Sequence, residues 1–191
     1  IYPTSFPRGF NMFGIELYTP EYNVVGDEVA IVETSKGTIK VELDGAGAPI
    51  HVANFCELST MGFYDGLKFH RYVPGFVIQG GDPNTRDMTG EQVAAGLPGP
   101  DGMPGTGGPG YCIKGEFNTN PRNSHDDGAL AMARSMNPDS AGSQFYFCLG
   151  AQHNLDSGYT VFGQTLEGKD VIAALRAGDE IVHIDIVHKE Q

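Results

Sequence analysis

The chain of 191 residues contains no tryptophan and only three cysteines. Cys56, Cys112 and Cys148 are odd in number and widely spaced, and they form no C-x-x-C pair that could seed a metal or redox site. We therefore interpret them as buried thiols and not as a disulfide framework. From this sequence we expect neither a metal site nor a cofactor.

Basic residues are also scarce. Twelve Lys and Arg residues face 24 Asp and Glu residues, which gives a formal net charge of -12. A protein of this charge repels phosphate backbones and anionic lipid surfaces, so we expect no nucleic-acid partner and no binding to an anionic membrane. No apolar run approaches the length of a membrane span, and no charged-then-apolar signal segment opens the chain. The compartment stays open: we expect the cytoplasm, with an exported or processed form as the alternative because the chain begins at Ile1.

The length and the apolar fraction of 40% suit a single domain with a real core, and we expect a monomer. Residues 1–27 are rich in aromatics, Pro and Gly without a period, which predicts an N-terminal extension packed on the surface of a domain spanning 28–191. Residues 84–104 form an insertion rich in Gly and Pro, which we expect to be solvated and to bury little apolar surface. Its collagen-like glycine spacing is too short for a triple helix, so we interpret it as an extended loop.

Short apolar runs between loops dominate the remaining pattern. The turn 35–37 predicts a hairpin of strands 29–32 and 39–43, and Pro49 and Gly62 bound a predicted helix. A second helix is predicted at 169–177. Further strands are predicted at 76–78, 129–133, 144–149 and 160–163, and in the last strand Val182, Ile184 and Ile186 alternate with His183, Asp185 and Val187. Many short strands with two helices favour a barrel or sandwich over a parallel α/β sheet.

The most informative segment is residues 69–82. It places Arg71 a few residues ahead of an apolar strand that ends in Gln79 and a glycine pair. A guanidinium is a permanently charged, rigid fork of donors, so an arginine in this setting suggests a hydrogen-bonding group aimed at a neutral carbonyl or amide. Taken alone, the segment also fits an ordinary core strand with an arginine at its surface.

Two further segments change that interpretation. They are residues 131–135 with 142–147, and residues 154–163. In this order and spacing, the three segments resemble the cyclophilin family of peptidyl-prolyl cis-trans isomerases, and the resemblance runs from about Val29 to the C-terminus. It implies a mainly β fold, a closed eight-stranded antiparallel β-barrel capped by two α-helices. It also implies acceleration of rotation about X-Pro bonds in protein substrates, which assists folding, with proline-containing polypeptides as partners.

Isomerisation needs a particular kind of catalyst. Amide rotation costs ~20 kcal/mol because the nitrogen lone pair is delocalised into the carbonyl. A donor to the proline nitrogen stabilises only the twisted state, and we assign this catalytic role to Arg71. The alternative function is a proline-segment binding module or holdase with little catalytic activity, and the presence of Arg71 favours catalysis. A hydrolase centred on Ser143 is rejected because its surroundings do not form a nucleophile elbow.

The resemblance also assigns a substrate-binding set, whose members form an apolar pocket for proline or contact the peptide backbone. On ideal strands Val77 and Gln79 share a face, as do Gln144 and Tyr146, whereas Phe145 and Phe147 are expected in the core. Gln79 and Gln144 are expected to bind the peptide backbone and orient Arg71. The set is Phe76, Val77, Gln79, Gly105, Ala133, Arg134, Gln144, Tyr146, Leu155 and Tyr159.

Three matched positions differ from well-known eukaryotic members of the family. Asn154 stands where those members have tryptophan, Tyr159 where they have a site histidine, and Tyr146 where they have a pocket phenylalanine. Loss of the indole removes apolar area and an N–H donor, so we expect weak cyclosporin binding. We interpret His70 as a hydrogen-bonded structural residue and not as an acid or base.

Overall fold

The computed structural model describes residues 8–11 and 14–190. Within them, short strands and a few helices alternate along the chain. The strands are β1 (Arg8–Phe10), β2 (Glu16–Tyr18), β3 (Glu28–Thr34), β4 (Gly37–Leu43), β5 (Arg71–Val73), β6 (Val77–Gly80), β7 (Ala129–Met132), β8 (Phe145–Cys148), β9 (Val161–Glu167) and β10 (Ile181–His188). The helices are α1 (Pro49–Thr60), α2 (Gly90–Ala94) and α3 (Lys169–Ala174), with 3₁₀ turns at Pro83–Thr85 and His153–Leu155. None of the described helices has the length and apolarity to cross a membrane.

Eight strands form one antiparallel sheet in the order β10-β3-β4-β9-β7-β8-β6-β5, and β1 and β2 form a separate two-stranded sheet. The predicted eight-stranded antiparallel architecture is confirmed. The sheet curls into a half-barrel, because in the described part of the chain its edge strands β5 and β10 do not pair as a ladder. Backbone hydrogen bonds bridge the gap instead, as from Phe69 N to Asp179 O and from Ile181 N to Leu67 O, each at 2.8 Å. The expected full closure is therefore a slight overstatement.

The predicted helices are present, with one change of length. α1 starts at Pro49, and Gly62 follows it with φ of +75°, a conformation that favours glycine. α3 ends at Ala174, three residues before the predicted end, because Leu175 adopts an extended backbone. α2 was not expected. It begins at a capping box in which Thr89 and Gln92 satisfy each other's backbone N–H groups.

The two faces of the sheet carry different clusters. Ile78, Phe145 and Phe147 are fully buried in the main core, as predicted for both phenylalanines, and α1 packs its apolar side against the same core. The opposite face of the central strands carries a smaller cluster around Val77 and Tyr146. The alternation of side chains along β6 and β8 predicted the binding surface on this face, where Val77 and Tyr146 lie.

The segments outside the central sheet are attached to it. Residues 1–7, 12 and 13 of the predicted extension lie outside the described residues. Tyr18 is buried in the main core, where its backbone N–H donates to Cys112 O at 2.8 Å and its hydroxyl donates to Glu57 Oε2 at 2.5 Å. Within the insertion, Met88 and Val93 are buried. The expectation that the insertion buries little apolar surface is therefore wrong for its first half.

The last strand departs from simple alternation. The register of β10 against β3 shifts between Ile181 and His183, which marks a β-bulge at Val182. Ile181 and Ile184 face the core, while Val182 is 50% exposed. The predicted grouping of Val182 with Ile184 is wrong, because the extra residue of the bulge resets the two-residue period.

We predict that Ile184→Ala lowers the free energy of unfolding by about 2–4 kcal/mol, because it opens a cavity in the core. Val182→Ala removes a side chain that already contacts water and should cost less than about 1 kcal/mol. Urea unfolding of both variants measures the two values. Equal costs would contradict the position of the bulge.

Candidate active site

A cavity of about 500 Å³ opens on the face of the sheet opposite the main core. Ten of the eleven predicted site residues line it, together with His70 and Pro104. The eleventh, Gln144, lies in an adjoining cavity of about 530 Å³. The two cavities share Gln79, Gly105, Ala133 and Arg134 in their walls, so they form one continuous groove.

Strand register brings the central residues of the groove into a row. Arg71 on β5 pairs with Gln79 on β6, and Gln79 pairs with Tyr146 on β8. Tyr146 in turn pairs with Ala131 on β7. Directly paired residues project from the same face of a sheet, so Arg71, Gln79 and Tyr146 line the groove side by side, and the fully buried Ala131 packs in the cluster beneath them.

A chain of side-chain hydrogen bonds orients the arginine. Arg71 Nη1 donates to Gln79 Oε1 at 3.3 Å, Gln79 Nε2 donates to Gln144 Oε1 at 3.0 Å, and Gln144 Nε2 donates to Gly107 O at 2.8 Å. The Arg71 guanidinium also lies 6.0 Å from the centre of the Phe76 ring. A guanidinium has five N–H donors, so a single bond to Gln79 orients it and leaves donors for a ligand.

The buried carboxylate of Asp82 holds the loop that ends this chain of hydrogen bonds. It accepts hydrogen bonds from the backbone N–H groups of Asn84, Gly105 and Gly107. A Cβ atom at Gly107 would lie 2.3 Å from Asp82 Oδ1, so a larger residue there would displace the Asp82 carboxylate. Both ends of the insertion are thereby fixed to one side chain.

The apolar part of the groove lies beside Arg71. Phe76, Ala133, Leu155 and Tyr159 pack against the cluster that contains Val77 and Tyr146. The Tyr146 and Tyr159 rings are 6.2 Å apart in an edge-on arrangement. The Arg134 guanidinium lies 4.6 Å from the centre of the Tyr159 ring and donates from Nε to Gly158 O at 2.7 Å, which supports that wall.

Burial keeps two groups of the groove, His70 and Tyr146, uncharged. Burial raises the pKa of Tyr146 far above its ordinary value, and burial lowers the pKa of His70 despite the opposing effect of Asp82. The His70 ring has a side-chain hydrogen bond with Gln144, while its Nδ1 atom has no hydrogen-bond partner within residues 8–11 and 14–190. A neutral histidine and a neutral tyrosine suit the binding of an uncharged ring.

Outside the groove, one group of side chains has the composition of a metal site. Asp27, Glu28 and His188 place possible ligand atoms within 4.8 Å of one another. The Glu28 carboxylate accepts hydrogen bonds from the backbone N–H groups of Val25 and Gly26, and His188 Nδ1 lies 2.6 Å from Asp27 Oδ1. These hydrogen bonds account for the arrangement without a metal.

Comparison with known proteins decides the family. The model of the family described as cyclophilin type peptidyl-prolyl cis-trans isomerase/CLD matches residues 29–189. The chain belongs to the cyclophilin family. A peptidyl-prolyl cis-trans isomerase of Synechococcus elongatus is 44% identical over 160 residues, which cover 83% of this chain and 95% of that protein. Peptidyl-prolyl cis-trans isomerase B of Bacillus subtilis is 40% identical over 148 residues, which cover 78% and 90%.

Solved structures give the same result for this cyclophilin. A cyclophilin type peptidyl-prolyl cis-trans isomerase of Cryptosporidium parvum, crystallised in the presence of the dipeptide Ala-Pro, superposes with a TM-score of 0.66 at 28% identity. The match covers 85% of this chain and 99% of that chain. With its family and its relatives established, this cyclophilin is a peptidyl-prolyl cis-trans isomerase.

Sequence reasoning missed several residues of the groove. His70 and Pro104 line it, and Gly107 and Asp82 fix its polar side. Asp82 closes the first motif, which is a signal that could have been used. The contribution of Gly107 could not be predicted from the sequence, because it is made by a backbone carbonyl, which every residue has.

We predict that Asp82→Ala lowers the free energy of unfolding by about 2–4 kcal/mol, since it leaves three backbone N–H groups without their acceptor. Hydrogen exchange at Gly105 and Gly107 should accelerate. Asp101→Ala is the matched control, because Asp101 is an exposed carboxylate of the same insertion. If both variants are equally stable, Asp82 does not hold the loop.

Proposed function

We propose that Arg71 is the catalytic residue of this isomerase and that the apolar cavity beside it binds the proline ring of the substrate. The observation that carries the proposal is the position of an exposed guanidinium next to a pocket of Phe76, Val77, Tyr146, Leu155 and Tyr159. A cation at the mouth of an apolar cavity binds a group that is apolar on one side and polar on the other. A prolyl amide has this character.

The proposed mechanism uses only positioning and electrostatics. The pocket holds the proline ring while the preceding carbonyl rotates about the C–N bond. As the bond twists, the nitrogen becomes pyramidal and regains its lone pair, which then accepts a hydrogen bond from Arg71. The planar ground state has no such lone pair, so the bond stabilises the transition state selectively.

The polar side of the groove would hold the peptide backbone. Gln79 and Gln144 are oriented by their mutual hydrogen bond and present amide groups at the boundary of the two cavities. Ala133 and Arg134 follow the end of β7 and line both cavities, where their main-chain groups would pair with an extended substrate. Gly105 would line the site for the residue before proline.

The N-terminal segment contributes to the same surface. Ile15 and Glu16 line the adjoining cavity opposite the loop that starts at Gly105. We assign residues 1–27 as an extension on the isomerase domain and residues 84–104 as its insertion. Both would shape the access of residues that precede proline. The partners would be flexible, proline-containing polypeptides.

We predict that Arg71→Ala lowers kcat/KM on a short X-Pro peptide by on the order of a hundredfold or more, equivalent to roughly 2–4 kcal/mol. Arg71→Lys should recover only part of the activity, because an ammonium lacks the planar fork. A protease-coupled assay measures both.

Arg122→Ala serves as the control, since Arg122 is 62% exposed and pairs with Asp44 outside the groove. Peptide affinity should change less than turnover in Arg71→Ala. Unchanged turnover in a folded Arg71→Ala protein would remove Arg71 from the mechanism.

We also propose that this cyclophilin binds cyclosporin weakly, because Asn154 is an exposed amide where an indole would add apolar area. Asn154→Trp should tighten binding by on the order of 1–2 kcal/mol, the scale of a partly buried aromatic. Calorimetry on both proteins measures the difference. Ser157→Trp, which places an indole at another exposed position of the same loop, should leave the affinity unchanged. Tight binding by the native protein would contradict the alignment of Asn154.

A further inference from the structure

A buried histidine lies behind the wall of the proline pocket, outside the set of residues that line it. His125 is fully buried, and its ring stacks on Tyr146 with centroids 5.9 Å apart and an interplanar angle of 14°. His125 Nε2 lies 2.9 Å from the Tyr146 hydroxyl, and Nδ1 lies 2.8 Å from Asp156 Oδ1. The three side chains form a continuous line from the pocket wall to a partly exposed carboxylate.

The chemistry of these groups fixes the direction of each hydrogen bond. Burial raises the pKa of Asp156, but hydrogen bonds from His125 and His153 outweigh this effect. The pKa therefore lies below its ordinary value, and the carboxylate is ionised at neutral pH. An ionised carboxylate only accepts, so Nδ1 of His125 carries the proton. Burial lowers the pKa of His125, which keeps the ring neutral and Nε2 unprotonated. The Tyr146 hydroxyl must therefore donate to Nε2.

His125 also holds the segment that carries the opposite wall of the pocket. Its backbone N–H donates to Asp156 Oδ1 at 2.7 Å, and its carbonyl accepts from the Gln152 N–H at 2.8 Å. Leu155 lies between these two anchor points and lines the pocket. The backbone N–H of Tyr159 donates to Leu155 O at 3.1 Å, which continues the wall.

We propose that His125 is a positioning residue for the proline pocket. It accepts a hydrogen bond from the Tyr146 hydroxyl, which directs the O–H away from the bound proline, and its bond to Asp156 connects Tyr146 to the segment that carries Leu155. This inference rests on the proposed function in one respect, the assignment of Tyr146 and Leu155 to the pocket wall. The need for such a residue follows from Tyr146 itself. A phenolic hydroxyl buried without a partner is costly, and one turned into the pocket would present a polar group to the proline ring.

Other charged groups around His125 are accounted for. Asp126 on its own loop and His153 on the turn that carries Leu155 are both more than half exposed, and they face each other with His153 Nε2 3.7 Å from Asp126 Oδ1. His153 Nδ1 also lies 3.0 Å from Asp156 Oδ2. These contacts support Asp156 from the solvent side and leave its Oδ1 to His125.

A double-mutant cycle tests the proposal. His125→Gln in the native background should lower kcat/KM on a short X-Pro peptide by about three- to tenfold, mainly through KM, which corresponds to one hydrogen bond. In the Tyr146→Phe background, where the hydroxyl is absent, the same change should have a clearly smaller effect. Equal effects in both backgrounds would overturn the proposal. If His125→Gln does not fold, Asp156→Asn replaces it in the same cycle. A smaller effect in the Tyr146→Phe background would again support the proposal, and equal effects in both backgrounds would overturn it.

The chain offers a matched control in a second buried histidine. His51 is 1% exposed and its Nδ1 lies 2.8 Å from Glu116 Oε1, but it lies outside the groove. His51→Gln should destabilise the fold while leaving kcat/KM unchanged. An equal loss of kcat/KM in His51→Gln would show that any buried histidine–carboxylate pair has this effect and would overturn a positioning role.

Nuclear magnetic resonance of the native protein provides an independent readout. The ¹⁵N signals of His125 should show a protonated Nδ1 and an unprotonated Nε2, and the opposite tautomer would overturn the proposal. Titration with a proline peptide should shift the Tyr146 ring signals. If turnover is normal but the Tyr146 ring signals do not shift, Tyr146 is not in the proline pocket, and this inference fails with that assignment. If the signals shift but the effects of the two mutations in the cycle are additive, only the role of His125 is wrong.

Discussion

Two central strands of this cyclophilin use both of their faces, and the rest of the structure depends on their register. In β6 and β8, Ile78 and Phe147 point into the main core, while Val77 and Tyr146 point into the groove. Successive side chains of a strand alternate, so a slip of one residue would exchange the two sets. The packing that stabilises the fold therefore also fixes the groove, and it places Arg71 opposite Gln79 by the same pairing.

A buried carboxylate explains how a long insertion is accommodated beside this groove. Asp82 binds backbone N–H groups at both ends of the insertion, so one side chain holds Gly105 and Gly107 next to Asn84. The Gly107 carbonyl then orients Gln144 and, through Gln79, the guanidinium of Arg71. One buried side chain therefore connects the insertion to the hydrogen bonds that orient Arg71.

Sequence patterns predicted those features that depend on neighbouring residues. The β3–β4 hairpin, α1 and the alternation at Val77 follow from local periods and turn residues, and the family motifs led to the proposal of Arg71 as the catalytic residue. Features set by distant contacts were not predictable in this way. β5 is only three residues long and is defined by its pairing with β6, the bulge at Val182 depends on β3, and the line from Asp156 to Tyr146 joins three separate segments. Such features need the tertiary structure.

Rotation about an amide bond requires no proton transfer, so the groove needs no group that titrates near neutral pH. Burial lowers the pKa of His70 and His125 and raises the pKa of Tyr146, so these groups stay neutral in the pocket wall and behind it. The guanidinium of Arg71 is permanently charged and needs no titration to act as a donor. In a chain with a net charge of -12, we propose that this cation beside an apolar pocket acts on a group that develops electron density only as the amide twists. An uncharged wall at Tyr146 and Leu155 beside the fixed charge of Arg71 is the arrangement that this proposed role requires.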